Sequence, residues 1–351
     1  MRFVSQQLIA KKLKISSGTV SRSLANDPAI SGETRSRVLQ VAEEMGYNFT
    51  RPRRKKTSTR PLTVGVLVGV RDTAPGTATF PFILKGIHDR AAQENVAIDV
   101  RFPNPDEFTI GAKRNEVFRQ VRSGGWRGVI LIYPFSDDAV AALSRKTTAV
   151  AVLEDYVDLG VDSIDTDQTA GIERIVDELV HAGHRRIGFA AWHYPVGGHW
   201  TKRRFSAYLE GVYDHGLPLN PDWTINVRKD VPKISPPEMA DRIVHLVREE
   251  GVTAWVCAAD HQAYPLIHDL HVRGVRVPED CSISGYDGIT PPVGMPQVAS
   301  IRVPHEEVGS SALGRLLYRM PRPHALSAKL LLRSEFVVGK TIAPPPALAV
   351  H

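Results

Sequence analysis

His181 and His184 stand three residues apart, as do His268 and His271, a spacing that sets both imidazoles of a pair on one side of a helix. Two imidazoles can begin a zinc site. No cysteine or carboxylate stands at a spacing that completes a ligand set, so both pairs read as solvated helix faces and no metal is expected. The phosphate-cradling G-x-x-x-x-G-K-[ST] loop is absent. The residues after the first apolar strand, Arg71-Asp72-Thr73-Ala74-Pro75-Gly76, make no dinucleotide-binding G-x-G-x-x-G turn. There is no G-x-S-x-G elbow, and Gly309-Ser310-Ser311 reads as a helix start. Catalysis and a cofactor are therefore not expected. The run Ser16-Ser17-Gly18-Thr19-Val20-Ser21-Arg22 offers different chemistry. Small hydroxyl residues at a helix start let backbone N–H groups approach phosphates, and an arginine one turn on can fork onto guanine O6 and N7 or clamp a phosphate.

Three short helices would present that run. Ser5 can cap a helix carrying Leu8, Ile9, Ala10 and Leu13 at helical spacing, and Lys14-Ile15-Ser16 interrupts it. Ser16 can cap a second helix over residues 17–25 that buries Val20 and Leu24 and exposes Ser17, Gly18, Ser21 and Arg22. Asn26-Asp27-Pro28 breaks the chain. Ser31 starts a third helix through Val38, Val41, Ala42 and Met45, ended by Gly46. A tight turn between the first two helices makes this a helix-turn-helix. Charge points the same way. Residues 1–60 hold 13 Lys and Arg against four acidic residues, whereas the other 291 hold 31 against 34. The surplus of positive charge lies entirely in the N-terminal segment, which favours a polyanion as partner.

At 351 residues the chain exceeds one ordinary core, and with 42% hydrophobic and 23% charged residues it reads as a soluble globular protein. No apolar stretch approaches the roughly 20 residues of a membrane helix, and the first residues turn polar too soon for a signal peptide. Cys257 and Cys281 lie in apolar, strand-like surroundings and read as buried reduced thiols. A cytoplasmic protein is expected. From residue 62 onward strand-like runs (62–68, 96–101, 128–132, 149–153, 186–191, 254–258 and 282–285) alternate with helical ones (82–94, 114–123, 170–182, 201–214, 237–250 and 263–273). Such alternation implies parallel sheets wrapped by helices, divided into two lobes with a cleft at the strand ends.

Leu8-Ile9-Ala10, Ile15 to Leu24, Ile30-Ser31, Glu33-Thr34-Arg35, Val38 and Met45-Gly46-Tyr47 together resemble the headpiece of LacI/GalR-family repressors. Asp165-Thr166-Asp167, Gly171, Gly183-His184-Arg185-Arg186-Ile187-Gly188, the run from Val277 to Asp287, Pro296, Pro304 and Gly309 resemble that family's effector domain, itself similar to periplasmic sugar-binding proteins. The resemblance spans about residues 4–340. It implies an all-α helix-turn-helix headpiece (1–47), a basic hinge (48–61), and an α/β two-lobed periplasmic-binding-protein-like domain (62–342) of two parallel-sheet, Rossmann-like subdomains. The N-lobe is expected at about 62–165 and 302–325, the C-lobe at about 166–298 and 328–342, and a disordered tail at 343–351.

Carried onto this chain, the family's DNA face falls on Ser5, Ser16, Ser17, Gly18, Thr19, Ser21, Arg22 and Asn26, with Ser17, Gly18 and Arg22 at the base-reading positions. Gly18 has no side chain to read with, so discrimination leans on Ser17, Arg22 and DNA shape. The hinge departs from the family pattern. Arg53 and Lys56 stand about where an alanine and a wedging leucine belong, and a lysine is no apolar wedge. The segment either contacts phosphates or a narrow minor groove, or is a charged flexible linker. The effector cleft falls on Phe82, Arg204 and Asp287, with Trp192, Trp200 and His261 in nearby loops. Asp287 in a Gly-Tyr-Asp-Gly turn can accept two hydroxyl hydrogen bonds, Arg204 can donate a fork, and flat rings suit sugar C–H faces. Asp260 reads as the cap of the helix that follows it. The resemblance thus implies a homodimeric, sequence-specific regulator of transcription. Its partners would be a pseudo-palindromic operator in double-stranded DNA and a small effector, a sugar. A soluble sugar-binding or sugar-processing protein with a vestigial headpiece, and a nucleoid-type DNA binder without effector response, are the alternatives in other classes.

Overall fold

The structure is a computed structural model that describes residues 5–24, 27, 29–45, 47, 62–69, 79–108, 116–194 and 199–346. The chain forms two compact units, Met1–Arg60 and Pro61–His351. Asn26, the whole hinge (48–61) with Arg53 and Lys56, and residues 347–351 lie outside the described residues.

The first unit holds α1 (Gln6–Leu13), α2 (Ser17–Leu24) and α3 (Gly32–Glu44). Ile9, Ala10, Val20, Val38 and Ala42 form its buried core, so each helix contributes the apolar stripe that its periodicity requires. Lys14 ends α1 in the left-handed region (φ 53°), and the backbone N–H of Ile15 closes on the Ala10 carbonyl at 3.1 Å. That is the tight turn expected. Ser16 caps α2 through its hydroxyl, which accepts from the Thr19 N–H at 3.0 Å. Ser5 holds the cap position of α1, but its hydroxyl makes no capping bond.

In the second unit β1 (Leu62–Val68), α4 (Phe80–Glu94), β2 (Val96–Arg101), α5 (Glu116–Arg122), β3 (Gly128–Ile132), α6 (Asp137–Ser144), β4 (Thr148–Val152) and β5 (Asp162–Thr166) build one lobe. The second lobe is α7 (Gln168–His181), β6 (Ile187–Ala190), α8 (His199–Asp214), β7 (Thr224–Ile225), α9 (Pro236–Glu250), β8 (Ala254–Cys257), α10 (Asp260–Val272) and β9 (Ser282–Ser284). The chain then runs through β10 (Ser300–Arg302), α11 (His305–Arg319), β11 (Lys329–Leu332) and β12 (Glu335–Val337). The first sheet has the order β11-β5-β4-β3-β1-β2 and the second β7-β6-β8-β9, with every neighbouring pair parallel. Wholly parallel sheets need helices on both faces, which is why β1, β3 and β4 read as continuous apolar runs rather than alternating ones.

Helix α11 returns the chain to the first lobe and packs along α4. Two glycines make the crossing close. A Cβ on Gly86 would stand 1.9 Å from the Glu306 carbonyl oxygen, and one on Gly309 would stand 2.0 Å from that of Ile83. The antiparallel pair β10–β12 lies where the chain passes between the lobes.

Three expectations need correction. Residues 329–332, placed in the C-lobe, pair with β5 in the N-lobe sheet, because the apolar Leu330 and Leu332 complete that sheet's buried face. Ala343, placed in a disordered tail, is held by the C-lobe. Its N–H donates to the Ser282 hydroxyl at 3.1 Å, and its carbonyl lies 2.9 Å from His184 Nε2. His184 is therefore no solvated helix side chain. It is 1% exposed, with Nδ1 2.9 Å from the Thr253 hydroxyl, and burial lowers its pKa.

Candidate functional site

Helix α2 turns Ser17, Gly18, Ser21 and Arg22 outward while Val20 and Ser23 are buried. Ser16 is exposed at the helix start, and its hydroxyl also bonds that of Thr19 at 2.9 Å. Ser5 is exposed in the same unit. Among the described residues Arg22 has no ion-pair partner. A free guanidinium one turn above a helix N-terminus of small hydroxyl residues can meet phosphate and base edge together.

The second constellation lies at the carboxyl ends of the C-lobe strands. In the order β7-β6-β8-β9 the connections reverse around β6 and β8, and a doubly wound sheet opens its crevice at such a reversal. The loop after β6 carries Trp192 and Tyr194, and the loop after β8 leads to Asp260 and His261. Trp192 and His261 meet edge to face at 5.5 Å, Tyr194 and Trp200 stand 6.1 Å apart, and the Tyr194 hydroxyl and His261 Nε2 are hydrogen-bonded at 2.6 Å. Gln262, 1% exposed, pins this loop. Its carbonyl accepts from the Trp192 N–H at 3.1 Å and its amide donates to the Tyr194 hydroxyl at 3.2 Å.

Arg204, on α8, is 5% exposed and does not present the free fork expected of it. Its Nε donates to Gln168 Oε1 at 2.7 Å and Nη1 to the Ala258 carbonyl at 2.5 Å, leaving Nη2 to reach Asp287 Oδ1 at 3.4 Å. The guanidinium lies 3.7 Å from the Tyr286 ring centroid and 4.7 Å from that of Trp200. Arg204 therefore orients Asp287 more than it can grip a ligand. Asp287 sits at φ 119°, a conformation rare for a residue with a side chain, and its carboxylate is 16% exposed. Burial pushes its pKa up to about 6 despite the neighbouring Arg204. His261 is pushed down to about 4 by burial and the same arginine, and so is neutral near pH 7.

The other lobe approaches this pair through side chains that sequence reasoning missed. Tyr133 follows β3 at φ 69°, is hydrogen-bonded to the Thr79 hydroxyl, and feels the charge of Asp287. His305, opening α11, is pushed down to about 4 by burial and by Arg204. Among the described residues the indole N–H of Trp192, the hydroxyl of Thr201 and Nε2 of His305 are buried without a hydrogen-bond partner. Phe82 is different. It is 50% exposed on the first turn of α4, and no contact among the described residues brings it to Asp287.

No group of three or more metal-ligating side chains gathers among the described residues, and no helix among them is long and apolar enough to cross a membrane. Cys257 and Cys281 are free and buried.

Residues 7–48 match the family model for "Bacterial regulatory proteins, lacI family", and residues 176–342 match "Periplasmic binding protein-like domain". The HTH-type transcriptional repressor MelR of Bacillus subtilis is 28% identical, the match covering 93% of this chain and 95% of MelR. Among solved structures, a transcriptional regulator CelR–cellobiose complex superposes with a TM-score of 0.66 at 21% identity, covering 96% of this chain and 99% of the other. A lac repressor dimer bound to operator and an anti-inducer superposes with a TM-score of 0.64 at 20% identity, covering 97% and 100%. These likenesses show the fold.

Proposed function

The chain belongs to the lacI family of bacterial regulatory proteins, and from that premise we propose that it is a cytoplasmic, sequence-specific repressor of transcription whose operator affinity is set by a neutral sugar held in the cleft of its larger domain. The observation that carries the sugar is the Asp287 turn. A carboxylate oriented by a buried arginine is offered as an acceptor beside Trp192, Tyr194 and Trp200. Paired hydroxyls satisfy such a carboxylate, and the rings cover the apolar C–H face that a sugar presents. The unpartnered groups of Trp192, Thr201 and His305 supply further polar contacts. Arg204 is committed to Gln168, Ala258 and Asp287, so it offers a strongly anionic ligand little. The cellobiose of the CelR complex supports the class without fixing the sugar.

The full chain, given an operator selected from random duplexes, is titrated by calorimetry with cellobiose, sucrose, ribose, glucose, adenine and glucose 6-phosphate. One neutral sugar should bind and shift operator affinity by about 1–3 kcal/mol, the usual range of such coupling. Binding of adenine or the sugar phosphate alone would refute the ligand class, and no selected duplex at all would refute the repressor.

A further inference from the structure

Asp260 opens α10, but it is not that helix's cap. The first-turn N–H groups of Gln262 and Ala263 both donate to the Ala259 carbonyl at 3.1 Å. The Asp260 side chain, fully buried, turns the other way. One oxygen accepts from the Ile289 N–H at 2.9 Å and the other from the Ser300 hydroxyl at 2.7 Å. Gly288 N–H lies 3.2 Å from the same Ser300 hydroxyl, and the Asp260 N–H donates to the Tyr286 carbonyl at 2.8 Å. Gly285 is glycine because a Cβ there would stand 2.0 Å from the Asp260 carboxylate.

These bonds surround the turn that carries Asp287. Its backbone also joins β10, with the Asp287 N–H donating to the Ile301 carbonyl at 2.8 Å and the Val303 N–H to the Asp287 carbonyl at 3.2 Å. A residue at φ 119° keeps that geometry only where its surroundings impose it. We propose that Asp260 is a positioning residue, a buried clamp that holds the 286–289 turn and fastens it to β10, so that the acceptor offered to the ligand and the strand joining the lobes move as one. The ligand-related part of this inference rests on the cleft being the effector site; the clamp itself does not. Asp260 cannot touch a ligand from its buried position, so it acts through Asp287.

Among the described residues the charged and titratable groups around the clamp are Asp287 on the turn, Arg302 on β10 against Gly288, Arg204 on α8, His261 and Tyr264 on α10, and Cys257 at the end of β8. Burial, and then the charge of Asp287, push Asp260 up to about 7. A proton taken up there occupies one of the two accepting oxygens and loosens the clamp.

The test is amide hydrogen exchange on the full chain, without ligand, for wild type, Asp260→Ala, Asp260→Asn and Ser300→Ala. Losing the acceptor in Asp260→Ala should speed exchange at Gly288 and Ile289 about tenfold while Gln262 and Ala263 stay protected. The asparagine, which keeps one accepting oxygen, should restore most of that protection. Corrected for intrinsic rates, wild-type protection at Gly288 and Ile289 should rise as pH passes upward through about 7 and be level in Asp260→Asn. Should Asp260→Ala fail to fold, Ser300→Ala still reports, by faster exchange at Gly288. Faster exchange confined to Gln262 and Ala263 would mark a helix cap and overturn the clamp, as would no change at the turn. A turn that responds in a protein that binds none of the six compounds would uphold the clamp and sink the ligand class alone.

Discussion

Asp287 combines an uncommon backbone conformation, partial burial and one long hydrogen bond to Arg204, and its response to pH follows from that setting. Hydroxyl donors favour its ionised form, so ligand binding expels a proton wherever the free carboxyl is protonated. With its pKa pushed up to about 6, effector affinity in Asp260→Asn, where the clamp does not titrate, should be level above that pH and fall with each unit below it, approaching tenfold per unit; in the wild type the fall should begin as pH drops through about 7, where Asp260 takes up its proton. His261 and His305, held near about 4, stay neutral across the same window and do not offset the change. Calorimetry between pH 5 and 8 checks the slope. Asp287→Ala should abolish the response while leaving ligand-free DNA binding nearly intact; an unchanged response in that variant would move the site elsewhere. On the DNA side, Arg22 is exposed on α2 without an ion-pair partner among the described residues. Arg22→Ala should cost about 1–3 kcal/mol on the best operator and much less on random DNA. Equal losses on both would make Arg22 a phosphate contact only.

Helices and long strands were the most legible elements, because their patterns repeat. β2 and β3 fall on the residues that their apolar runs predict, and α1 to α3 follow their apolar stripes. β10 and β12, three residues each, are too short for a period-2 pattern to register, and their pairing depends on contacts far apart in sequence. The same limit hid the site's supports. The residue type suggests that Arg204 can fork and that Asp260 can cap, but only the fold shows Gln168 and Ala258 occupying the arginine and the 286–289 turn occupying the aspartate. His184 misled for a related reason: its spacing from His181 is helical, yet it follows α7 and is buried in the turn before β6. Close helix packing was likewise invisible in the chain. Gly309→Ala would push a methyl against the Ile83 backbone and should destabilise the larger unit by about 1–3 kcal/mol. Gly314→Ala, on the same helix with no neighbour nearer than 3.6 Å, should instead stabilise it by about 0.5–1 kcal/mol. Thermal melts that moved both variants the same way would refute this account of the α4–α11 crossing.

At the scale of the whole molecule, charge and symmetry govern how the chain meets DNA. Positive surplus is confined to residues 1–60, so affinity should be steep in salt, dropping about 10³–10⁵-fold between about 50 and 200 mM if each complex neutralises about six to ten phosphates. A flat response would remove the electrostatic footing of the repressor reading. One headpiece cannot supply that many contacts with specificity. Its helix α2 has eight residues, of which only Ser17, Gly18, Ser21 and Arg22 are turned fully outward. Each good base contact discriminates by about 1–3 kcal/mol, so Ser17 and Arg22 of a single copy supply about 2–6 kcal/mol and reach only the lower part of the roughly 4–10 kcal/mol that separates specific from non-specific binding. Two copies related by a two-fold axis double both the phosphate contacts and the base contacts, and require an operator with matching symmetry, its half-sites about one helical turn or a multiple apart. The purified full chain should therefore run as a homodimer by light scattering and protect a pseudo-palindrome. Deleting one half-site should remove about half of the free energy that separates specific from non-specific binding, because the second headpiece then lies on non-specific sequence. A monomer that binds tightly and protects a single half-site would contradict both the symmetry and the count of contacts from which it was argued.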